Sequence, residues 1–129
     1  MTSKYGIVAV QAASDASKGI HPLDAWKFSA ARVFKNNPSC ISKSCPKSTF
    51  LGLAELGVIS GISPGEYTKS VENKKYAELA LKLLCEDSSW LNNPSKLWEK
   101  IMDGTEKKHN SQMDVVTALW QAKLFNNQN

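Results

Sequence analysis

Arginine is almost absent from this 129-residue chain: of 16 basic residues only Arg32 carries a guanidinium. Bidentate recognition of guanine or phosphate uses the fork that lysine does not have, so a sequence pI near 9 lends little weight to nucleic-acid binding. Cysteine is scarce and odd in number, with Cys40, Cys45 and Cys85 and no secretory signal ahead of them, so export is not indicated and a cytosolic protein with reduced thiols is expected. No long hydrophobic run is present. The longest, Phe50 to Ile59, is about ten residues and carries Glu55, too short to cross a bilayer. There is no strand-like alternation, no internal repeat and no linker long enough to divide the chain.

What is present is enough apolar material for one domain. The sequence is 42% hydrophobic and 22% charged, with four Trp, four Phe and three Tyr, which excludes disorder. The net charge of +4 arises before residue 61, where seven basic side chains face three acidic ones; the remainder carries nine of each.

Proline and glycine divide the chain into about six helices, predicting a compact all-α domain over 1–129. Tyr5, Val8, Ala9, Ala12, Ala13 and Ala16 form an alanine-rich stripe stopped at Gly19. Pro22 opens a second helix carrying Leu23, Trp26, Ala30, Val33 and Phe34. Pro38 to Thr49 reads as a connector into a central helix that Gly57 closes. Ser60 to Ser70 reads as turns. Tyr76, Leu79, Ala80, Leu83 and Leu84 make the buried stripe expected of a fourth helix, and Leu97, Trp98, Ile101 and Met102 that of a fifth ending at Gly104. A last helix, capped by Asn110 or Ser111, turns Met113, Val116, Leu119 and Trp120 inward, leaving Asn- and Gln-rich residues after Phe125.

Chemistry concentrates at three helix starts. In Ser44-Cys45-Pro46-Lys47-Ser48-Thr49, Pro46 is expected at the first or second helical position and Cys45 at or beside the cap, where free amides, Lys43 and Lys47 favour a thiolate or an anion. Lys107-Lys108-His109-Asn110-Ser111-Gln112 gathers an imidazole, cations and hydrogen-bonding groups. Tyr67-Thr68-Lys69-Ser70 repeats the style. If the three lie together, their amides, hydroxyls and Lys47, Lys69 and Lys108 form an anion-binding concavity, with Lys47, Ser48, Tyr67, Thr68, Lys108, His109, Asn110 and Gln112 as ligand-binding residues.

The leading expectation is a non-enzymatic binding module for a small anionic ligand or a protein partner, with no cofactor and no membrane. A thiol-dependent enzyme with Cys45 as nucleophile and His109 as its base is the alternative from another class, and weak nucleic-acid binding a third. Zinc is not indicated, because Cys40-x4-Cys45 with Cys85 or His109 lacks a close ligand pair. A helix-turn-helix at Leu53 to Val58 lacks a recognition helix, since Ser60 to Gly65 holds two glycines and a proline.

The segments Lys43-Ser44-Cys45-Pro46-Lys47 with Phe50-Leu51-Gly52-Leu53, Gly65 to Thr68, and Lys107 to Val116 with Ala118-Leu119-Trp120 resemble a family of small bacterial proteins defined only as a domain of unknown function. The resemblance spans nearly the whole chain. It implies a bacterial cytosolic protein and supplies no activity.

Overall fold

A computed structural model describes residues 3–105, 107, 109, 111–126 and 128. It is all-α: α1 (Lys4–Ser17), α2 (Pro22–Phe34), a single turn α3 (Pro38–Ile41), α4 (Ser44–Glu55), α5 (Val71–Glu86), a 3-10 turn (Ser88–Asn92), α6 (Pro94–Met102) and α7 (Gln112–Gln121). The breaks fall where proline and glycine put them. Pro22, Pro38 and Pro94 occupy first helical positions, where the missing N–H costs no helical hydrogen bond. Gly19, Gly57 and Gly104 take left-handed backbone just past α1, α4 and α6.

The alanine stripe of α1 is buried from Val8 to Ala16 and packs on α2, with α7 on its other side. Small side chains let these axes come close, and Trp26 fills the space they leave, its ring 5.4 Å from that of Phe50. The core-filling helix is α4, buried at Phe50, Leu51, Gly52, Leu53 and Ala54 and enclosed by α5, α7 and α2. Across the molecule Ile59 and Phe125 form a lone antiparallel bridge, with Ser60 N–H on the Leu124 carbonyl and Asn126 N–H on that of Val58. Asn126 Nδ2 and Gln128 Nε2 donate to the carbonyls of Gly57 and Trp120, so the polar residues after α7 that are described are tied to the body.

Several expectations change. The connector predicted over Pro38 to Thr49 contains α3 and the first half of α4. Pro46 stands at the third position of α4 and Cys45 at the second, because the first three helical N–H groups lack intrahelical acceptors and a proline is tolerated throughout them. The buried face of α5 is Asn73, Ala77, Ala80, Leu81 and Leu84, rotated from the stripe expected: Leu79 is exposed, and Tyr76 and Leu83 are half-buried. Trp120 is half-buried, against Phe125.

Candidate functional site

The start of α4 stands apart from the other helix starts. Ser3, His21, Asn37, Ser70 and Asn93 each accept a first-turn N–H of α1, α2, α3, α5 and α6, and His109 Nε2 accepts that of Met113 in α7. In α4 the capping position is Lys43, and among the described residues no side chain caps the first turn. A cation at the positive pole of a helix is electrostatically unfavourable, whereas an anion there is stabilised by dipole and amides together. Lys43 Nζ lies 5.3 Å from the centre of the Tyr5 ring, and Tyr5 donates to the Cys40 carbonyl. Ser44 is exposed, and Cys45 and Lys47 are partly so; Ser48 is buried, which takes it out of a solvent-facing site.

At the start of α5 the anion-accepting groups are already occupied. Glu55 Oε1 accepts the backbone N–H groups of Tyr67 and Thr68 at 2.9 and 3.3 Å, and its Oε2 takes Lys74 Nζ at 2.6 Å. The Lys74 ammonium and then the two amides hold this carboxyl down at about 2. The Tyr67 hydroxyl is committed to the Ser63 carbonyl, and Ser70 N–H bonds Thr68 Oγ1. A depressed carboxyl pKa stabilises the fold fully above the unfolded value near 4.5, and that contribution is lost as pH falls through about 2. Glu55→Gln is therefore expected to flatten the stability loss between those limits, read from urea midpoints at successive pH values. An unchanged slope would mean that Glu55 is not the group responsible.

At the start of α7 the imidazole takes the place of the expected Ser111 cap: Ser111 has left-handed backbone and its side chain makes no cap, while His109 Nε2 accepts Met113 N–H at 3.1 Å. Burial is the main influence lowering the His109 pKa; Lys43 lowers it further and Asp114 opposes both. A neutral ring is what this acceptor role requires. The nitrogen bound to Met113 is not available as a base, and among the described residues no hydrogen bond joins Cys45 to His109. Gln112 is fully buried and donates to Asn73 Oδ1. Lys108 and Asn110 lie outside the described residues.

Contacts join two of the three starts. Lys107 Nζ to Glu72 and Gln112 to Asn73 tie α7 to the first turn of α5, and Trp98 Nε1 donates to the Lys107 carbonyl. Tyr67 and Thr68 sit at the far end of α4, on Glu55, ten residues or about 15 Å along that helix from Cys45. The α4 helix itself packs on α7, and Lys43 at its start lowers the His109 pKa. Glu55 is not among the site residues that the sequence suggests, although a lone carboxylate in the apolar run Phe50 to Ile59 is a signal for it.

Hollows at these places are open surface grooves. One of about 240 Å³ is lined by Glu55, Thr68, Ser70 and Lys74, and a second of about 440 Å³ by Glu55, Glu66, Tyr67, Thr68 and Lys69. Among the described residues no group of three or more His, Cys, Asp or Glu side chains is arranged to hold a metal, and no helix is long and apolar enough to cross a membrane. No curated protein matches the chain, and no solved structure does. A family of unknown function, DUF6979, matches over residues 2–126, and the chain belongs to that family.

Proposed function

We propose that this protein is a cytosolic bacterial binding module, without catalytic activity, that takes an anionic group at the start of α4, on a small ligand or on an acidic segment of a protein partner. The observation that carries this reading is the contrast between helix starts among the described residues: six have a first-turn amide taken by a described side chain, and α4, flanked by Lys43 and Lys47, has none so taken. Residues that break a local stability rule without compensation concentrate at functional sites, and a lysine in a capping position is such a break.

The test turns on opposite signs in one variant. Lys43→Asp supplies a capping carboxylate, so the ligand-free protein is expected to gain about 1 kcal/mol. The same variant is expected to lose the thermal stabilisation that inorganic phosphate, nucleotides or carboxylates give the native protein at matched ionic strength. Lys69→Glu, at the α5 start that Glu55 fills, is expected to keep the response. A native protein that responds to none of these anions would remove the anionic reading, and an undiminished response in Lys43→Asp would move it elsewhere.

A further inference from the structure

The face of α5 turned away from the core carries Lys75, Glu78, Leu79, Lys82 and Glu86, all exposed, with Leu83 half-buried beside them. At 100° per residue these six positions fall within one side of the helix, opposite Ala77, Leu81 and Leu84. Between this face and α6 runs a groove of about 350 Å³ floored by Leu79, Leu83 and Ile101. Three aliphatic side chains thus meet at the surface.

The charges around them are balanced and unspent. Glu78 and Lys82, and Lys82 and Glu86, stand at the four-residue spacing that favours pairing within a helix. The salt bridges among the described residues are nevertheless Arg32 to Asp15, Lys74 to Glu55 and Lys107 to Glu72, and none uses these four groups. Their order has a symmetry. Turning a second α5 antiparallel about an axis between Ala80 and Leu81 sets Lys75 opposite Glu86 of the second copy. Glu78 then falls within one residue's rise, about 1.5 Å, of Lys82 of the second copy, and Leu79 within the same distance of Leu83 of the second copy. The two-fold operation repeats each pairing, giving four opposite-charge contacts beside the paired leucines. A parallel pairing sets every charge against its like.

We infer that the outward face of α5 is a dimer interface with a second copy of this chain, joined antiparallel about a two-fold axis, the leucines of each copy seated against the groove of the other. The contact is isologous, because one patch supplies both halves of each pair. A helix of 16 residues is about 24 Å long, so a contact centred on it lies at the small end of protein interfaces and fits micromolar rather than nanomolar association.

Sedimentation equilibrium from micromolar to millimolar concentration is expected to show the native protein passing from one-chain to two-chain mass. Lys75→Glu with Lys82→Glu makes the face wholly acidic, and Glu78→Lys with Glu86→Lys makes it wholly basic. Each double variant alone is expected to hold the one-chain mass, and an equimolar mixture to regain the two-chain mass. Leu79→Gln, a single exposed change, is expected to weaken native self-association at least tenfold and keeps the test open if a charge variant fails to fold. A native protein that stays at one-chain mass throughout, folded double variants that still self-associate alone or fail to associate when mixed, or an unaffected Leu79→Gln protein would each overturn the inference.

Discussion

Trp26→Ala is expected to destabilise the protein by about 3–5 kcal/mol, the range for removing a large aromatic side chain from a packed core. Trp26 is 1% exposed on α2 and lies against Phe50, beside the alanine stripe of α1 and the Ala25 and Ala30 of its own helix. Alanines already at close approach have no longer side chain to swing into the vacated space, so little of the cavity can be refilled. Domains of this kind are stable by roughly 5–15 kcal/mol in total, and the substitution removes a large fraction of that. Urea midpoints at constant slope measure the loss, and the melting temperature is expected to fall by roughly 10–20 °C. Trp26→Phe, which keeps a ring opposite Phe50, is expected to lose less. A loss below about 1 kcal/mol for alanine would show that the site collapses, and that Trp26 does not hold α2 on α4.

Gly52→Val is the second large effect, and it acts by excess rather than deficit. A Cβ at Gly52 would stand 2.8 Å from the Cα of Lys74 and 2.9 Å from its Cβ. Backbone lies at that point, so no flexible chain end can move aside; α4 and α5 must separate. Overpacking of this kind costs about 1–3 kcal/mol, and valine's branched methyls put this case at the upper end, about 3 kcal/mol. Gly52→Ala brings the same Cβ against Lys74 but no methyls beyond it, and alanine regains about 1 kcal/mol of helix propensity, so it is expected to destabilise less than valine. Displacing Lys74 also draws its ammonium from Glu55, so the valine variant is expected to lose part of the acid-range pH dependence that Glu55 gives the native protein. Thermal melts of the three proteins at neutral and acid pH test both parts. A valine variant as stable as the native protein would mean that the two helices are not held at this contact.

Much of this architecture is legible in residue order. Pro22 and Pro94 begin helices and Gly19, Gly57 and Gly104 follow their ends, because ring closure and the absence of a side chain act on local backbone without reference to distant residues. The alanine stripe of α1 is equally local. The rotation of α5 is not. Two overlapping stripes run along it, and the buried one includes Asn73, a polar residue that a search for apolar periodicity passes over; its partner Gln112 lies 39 residues away on α7. The cap of α7 escapes for a related reason. Capping preferences point to Ser111, whereas the acceptor described is His109, four residues before the amide it serves.

The candidate site follows the same division. Lys43, Cys45 and Lys47 are placed by the local geometry of a helix start. That Tyr67 and Thr68 have already found their anion in Glu55 depends on a loop folding back over twelve residues, which composition does not encode. The Glu55 side chain is 15% exposed in its ion pair with Lys74, mostly hidden among residues that otherwise avoid water.

The bridge between Ile59 and Phe125, with α7 packed on α1, bears on the order in which this chain acquires structure. The α1 and α2 pair closes over a four-residue connection and can form early, since short loops carry a small closure entropy. The buried stripe of α1 packs on α7 as well as on α2, and α7 follows more than ninety residues later. Folding therefore finishes with a long closure, and the Ser60 and Asn126 amides, bonded across that closure, should gain protection from hydrogen exchange only when the whole helical body has assembled.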